Sequence, residues 1–73
     1  MFNQNNKTME NVKVKLTLVG LDGNAFSLMG AFQQAAERQG WNQAAIKEVL
    51  EKCRSGDYDH LLSTLMENTE DPE

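Results

Sequence analysis

Val12-Lys13-Val14-Lys15-Leu16-Thr17-Leu18-Val19, running into Gly20-Leu21-Asp22-Gly23-Asn24, is the stretch that decides the fold. Apolar residues at 12, 14, 16 and 18 alternate with Lys13, Lys15 and Thr17, the period-two pattern of a strand with one face in a core and one in water. Gly20, Asp22, Gly23 and Asn24 in the next five residues tolerate positive φ or bond their own backbone, so the chain can turn there without steric penalty. Asp22 or Asn24 can then accept from the first free N–H groups of a following helix, which makes either a suitable N-cap.

From Ala25 to Arg38 the residues Phe26, Met29, Phe32 and Ala36 recur at spacings of three and four. Leu28 and Ala35 widen the stripe, and Gln33, Gln34, Glu37 and Arg38 fall on the other side. The pattern predicts a core-facing helix with Phe26 in its buried stripe. Gly30 in mid-helix costs about 1 kcal/mol relative to Ala, which predicts close approach of another backbone at that point.

Gly40 is placed to end this helix in the left-handed conformation, with Trp41 folding back on the last turn as a packing lid. Asn42 caps a second predicted helix over 43–54, whose inward positions are Ala45 or Ile46, Val49, Leu50 and Cys53. Ser55-Gly56-Asp57 repeats the logic: Gly56 closes the second helix and Asp57 caps a third over 58–68. Asp59 lies in the first turn, where the helix dipole favours negative charge. Leu61, Leu62, Leu65, Met66 and Tyr58 make the apolar face of that helix. The acidic segment 69–73, with Pro72, is expected to fray.

Seventy-three residues allow one domain, and chains of this size rarely bury enough apolar surface to be comfortably stable alone. A formal charge of −4 argues against general nucleic-acid binding, which needs cations to displace counterions from phosphates. The single Cys53 has no partner for an internal disulfide and suits a buried position in a reducing compartment. Residues 1–11 lack the continuous apolar run of a signal peptide or membrane span and are expected to be a flexible N-terminus.

Two places invite chemistry. In Asp57-Tyr58-Asp59-His60 two carboxylates and an imidazole fall within four residues, but capping accounts for both acids and no second cluster completes a metal's coordination sphere. The loop of residues 20–24 before a helix could hold an anion, although it lacks the spacing of a phosphate loop. Trp41 could stack on a base, yet it has no basic neighbours. The candidate ligand or partner contacts are therefore Asp22, Asn24, Trp41, Asp57, Asp59 and His60, with no catalytic residue, metal or cofactor expected, since no nucleophile has a paired base.

The strand followed by Asp22-Gly23-Asn24-Ala25-Phe26, the Gly at 30, and Ser55-Gly56-Asp57-Tyr58-Asp59-His60-Leu61-Leu62 resemble a group of short uncharacterised bacterial and phage proteins. The likeness covers residues 12–66. Members of the group tend to continue into a short Trp- or Val-bearing segment, which the acidic residues 68–73 replace here. The resemblance brings no activity with it; it implies a cytoplasmic accessory protein carried by a mobile element.

The expected architecture is α+β: one N-terminal strand followed by three helices (β-α-α-α) in a single domain over residues 12–68, with an acidic tail at 69–73. A lone strand leaves backbone groups unpaired on both edges, which predicts a homodimer paired antiparallel through Val12, Val14, Leu16 and Leu18. Centring the pair on Leu16 sets Lys15 opposite Thr17, whereas centres at 14 or 15 oppose lysine to lysine. The expected function is binding, and inhibition, of a host protein, without membrane association. The alternative is an oligomer that sequesters a small ligand or nucleotide between the helix N-termini at Asn24 and Asp57.

Overall fold

In the computed structural model, which describes residues 13–72, the chain runs β1 (Val14–Lys15), α1 (Ala25–Arg38), α2 (Gln43–Arg54), α3 (Tyr58–Asn68) and β2 (Thr69–Glu70). The expected order of one strand and three helices holds, with a second short strand added at the end. The expectations for residues 1–11, and for Val12 as part of a dimer strand, lie outside the described residues.

Each helix boundary has a local cause. Asn24 caps α1 by accepting from the N–H of Phe26 at 2.8 Å and of Ser27 at 3.4 Å. Asp22 supports the cap by accepting from the Asn24 N–H at 3.1 Å. At the other end Gly40 has φ +93°, the Gly40 N–H donates to the Glu37 carbonyl and the Trp41 N–H to that of Ala36, the paired bonds of a Schellman ending. Asn42 caps α2 through the Ala45 N–H at 2.8 Å, and Asp57 caps α3 through the His60 N–H at 2.9 Å. No glycine ends α3. The Asn68 amide donates to Thr64 O and the Thr69 hydroxyl to Leu65 O, both at 2.8 Å, so side chains satisfy two of its last carbonyls.

The core joins Val14 of β1, Leu28, Met29, Phe32, Ala35 and Ala36 of α1, Ile46, Leu50 and Cys53 of α2, and Leu61 and Leu65 of α3. Burial pushes the Cys53 thiol up, against a smaller lowering by Arg54, so it packs as a small apolar side chain. Phe26 is 80 % exposed, contrary to its expected place in the buried stripe: the inward face of α1 runs through 28, 29, 32, 35 and 36, which turns position 26 outward. On α3 the buried positions are Leu61, Thr64 and Leu65, with the Thr64 hydroxyl donating to His60 O at 2.9 Å, whereas Tyr58 and Met66 are exposed.

Two glycines differ from their expected roles. A Cβ at Gly30 would meet nothing within 4 Å, so no backbone approaches there. Gly56 does not take a positive φ; a Cβ there would lie 2.8–2.9 Å from His60 Cβ, Cγ and Cδ2, so glycine is required by the imidazole packed against it.

The strand departs most from the sequence pattern. Its alternation persists, with Val14 buried, Leu16 and Leu18 half-buried, and Lys13, Lys15 and Thr17 exposed. The ladder itself covers Val14–Lys15, paired in parallel with Thr69–Glu70, and Leu16 N–H adds a bond to Glu70 O at 2.9 Å. The next donor on that edge of β2 would be position 72, which is Pro72 and has no N–H, so the ladder stops. Thr69 is buried, so residues 69 and 70 belong to the fold instead of fraying with the tail. A two-residue strand has no periodicity to announce it, and for this reason β1 looked partnerless in the sequence.

Candidate functional site

Of the six expected contact residues, five lie at helix ends and four of those have their polar atoms engaged in holding those ends. Asp22 and Asn24 bond within the α1 cap, with the Ser27 hydroxyl also reaching Asp22 at 3.4 Å. The Tyr58 hydroxyl donates to the Gly23 carbonyl and so ties the start of α3 to the turn before α1. Asp57 is occupied by the His60 N–H. His60 Nε2 lies 2.8 Å from the Lys52 carbonyl oxygen and 3.1 Å from the Ser55 hydroxyl. Two acceptors at 2.8 Å would repel, so the proton sits on Nε2 and the imidazole closes the end of α2 from the neighbouring helix. Asp59 is exposed and makes no hydrogen bond or ion pair among the described residues.

Trp41 is half-buried and meets Phe32 edge-on, ring centroids 5.7 Å apart at 86°. Its indole Nε1 is buried without a hydrogen-bond partner among the described residues. The ring therefore packs as the expected lid.

The basic residues that an anion site at the helix N-termini would need line different surfaces. Lys13 borders a shallow depression with Ser63, Met66 and Glu67; Lys15 pairs with Glu70 at 2.5 Å; Arg54 lines a cleft with Lys47, Gln33 and Glu51. Of the first-turn N–H groups, those of Phe26 and Ser27 are taken by the Asn24 side chain and that of His60 by Asp57.

A groove of about 420 Å³ lies where β1 outruns β2. Leu16, Leu18 and Val19 form one wall, Leu62 and Met66 of α3 another, and Thr69, Glu70 and Asp71 the third. Its origin follows from the short ladder. Once Pro72 ends the pairing, the apolar face of the extended segment continues for several residues with no strand beside it among the described residues, while α3 has already finished at Asn68. Leu16, Leu18 and Leu62 touch the core from one side and this groove from the other, and Val19 and Met66 stand 88 % and 64 % exposed at its rim.

The lip of the groove is acidic. Glu70 and Asp71 line it, and Glu67 sits beside Met66 in the last turn of α3. The hydrogen bond from Lys15, and then its charge, hold the Glu70 carboxyl below the ordinary glutamate range, with a smaller contribution from Lys13. The sequence pattern puts Leu62 and Met66 on the apolar face of the third helix and carries the strand to Val19; Leu62 does pack against the core, whereas Met66 is exposed. The usable signal was Val19, a large apolar residue on the polar side of the alternation.

Comparison of the chain with protein-family models, curated proteins and solved structures finds no match. No helix among the described residues is long and apolar enough to cross a membrane.

Proposed function

We propose that this chain acts by binding another protein, and that the groove beside β1 is where it does so. The observation that carries the reading is an apolar floor (Leu16, Leu18, Leu62) with apolar residues standing exposed at its rim (Val19, Met66) and the carboxylates of Glu70 and Asp71 along its lip. Exposed apolar surface ringed by polar residues is characteristic of protein contact sites. The acidic lip and the net charge of −4 select a partner that presents an apolar side chain beside lysine or arginine. The scale suits an accessory protein of the mobile-element kind that the sequence resembles: a small chain covering one patch of a host protein and inhibiting it by occupation.

A photo-cross-linking residue placed at Met66, compared with the same residue at Glu48 on α2, tests this in host lysate. A discrete adduct from position 66, absent from position 48, abolished by Val19→Asp and weakened as salt screens the lip, is the expected result. Identical products from both positions, or no product from 66, would overturn it. A nucleotide released from the purified protein on denaturation would favour ligand sequestration instead.

A further inference from the structure

On the edge of β1 away from β2, the Lys15 N–H donates to Gln39 Oε1 at 2.8 Å, and Gln39 Nε2 donates to the Lys15 carbonyl at 2.9 Å. One primary amide, carrying a donor and an acceptor side by side, reproduces the double exchange that a residue of a neighbouring antiparallel strand would make. We propose that Gln39 is a plug in the outer edge of β1, and that the surface it closes accepts a second copy of this chain when the plug is withdrawn. The proposal concerns the edge opposite β2 and does not rest on the groove reading.

The position of the plug follows from the end of α1. Gln39 is the C-cap residue, fixed by bonds from its N–H to the Ala35 and Ala36 carbonyls and by the Schellman turn at Gly40 and Trp41. The side chain is thus carried to β1 by a rigid helix end, 24 residues away in sequence. It competes with any incoming strand without surrendering translational freedom.

The occupant follows from the pattern of free groups. Bonding alternates along an extended chain: Leu16 faces β2, Lys15 faces outward, and Thr17 must face outward as well. No hydrogen bond reaches the Thr17 backbone among the described residues. Antiparallel pairing of two copies across Leu16 sets Lys15 opposite Thr17 twice, and each such pair exchanges the two bonds that Gln39 now supplies or that Thr17 lacks. Centring on Val14 would oppose Lys13 to Lys15, and centring on Lys15 would oppose that residue to itself. At residues 14–16 the inner edge cannot serve, because β2 holds it.

The test is sedimentation equilibrium of the full chain from micromolar to millimolar concentration. Wild type is expected to run as the 8.2 kDa monomer. Gln39→Ala, and Gln39→Met, which keeps the side-chain length without its polar atoms, should self-associate roughly tenfold or more tightly. Adding Thr17→Pro to either should restore the monomer; Leu16→Pro is unsuitable because it cuts the bond to Glu70. In dilute wild type the Lys15 amide should exchange with solvent more slowly than the Thr17 amide, and Gln39→Met should remove that difference. Variants that keep the wild-type circular dichroism and stay monomeric throughout would overturn the proposal. So would dimers indifferent to Thr17→Pro, or a wild-type Lys15 amide exchanging as fast as that of Thr17.

Discussion

The junction around residues 52–60 and the extended segment at residues 14–19 solve the same problem, unpaired backbone, in opposite ways. At the junction the Lys52 carbonyl is met by the Ser55 N–H, the Ser55 hydroxyl and the His60 imidazole, and Asp57 caps the next helix; every partner lies within eight residues. Along the strand, satisfaction comes from far away. Glu70 lies 55 residues from Lys15, Gln39 lies 24 residues away, and beyond Leu16 the pairing stops among the described residues. Local closure makes a rigid joint with no room for another group. Distant closure leaves an apolar groove on one side and a side-chain plug on the other, and both proposals concern that half of the molecule.

The tightness of the junction can be broken most directly at Gly56. Gly56→Ala should destabilise the fold by about 1–3 kcal/mol, because the nearest atoms of His60 include its Cβ, which is fixed to the backbone, as well as ring atoms. Denaturant unfolding measures the loss, and combining the change with His60→Ala should recover part of it; additive effects would mean that the ring is not the obstacle. Next in size, Asp57→Ala should cost about 1 kcal/mol through loss of the cap. Unchanged stability there would show that His60 alone holds the joint. Gly30→Ala gauges a position belonging to neither region: with open space around it, the change should raise stability by up to about 1 kcal/mol. Loss of stability would mean that a neighbour approaches α1 after all.

The smallest effect belongs to the strand end. The Glu70 carboxyl is held low by Lys15 in the folded chain, so the stabilisation it brings is fully present above the ordinary glutamate pKa and is lost as pH falls through the depressed value. Melting of wild type and Glu70→Gln across acid pH should therefore show a modest difference near neutrality that vanishes on acidification. A difference independent of pH would mean that Lys15 and Glu70 do not pair in solution. Both side chains are exposed, and salt should weaken the effect.

The acidic and amide residues singled out as contacts were legible because Asp and Asn near helix ends have few other uses, and five of the six act as caps, cap supports or a lid. The groove was not legible. Its walls are Leu and Met residues that satisfy the helical periodicity of α3 as well as any core residue does, and whether Met66 is covered depends on where β2 stops. Phe26 shows the same limit on α1, where a stripe containing it fits the spacing almost as well as the stripe that is buried.

What the sequence determined by itself is the set of elements held by neighbours within a few residues. All three helices, the caps at Asn24, Asn42 and Asp57, and the left-handed ending at Gly40 are short-range events whose partners sit beside them in the chain. The tertiary structure alone decided what closes β1. A strand's hydrogen bonds point sideways, to whatever the fold delivers, and neither a parallel partner of two residues at Thr69–Glu70 nor a glutamine amide at a helix end has a pattern along the chain that names its distant mate. The need of Gly56 for glycine was settled in the same way, by an imidazole brought against it in space.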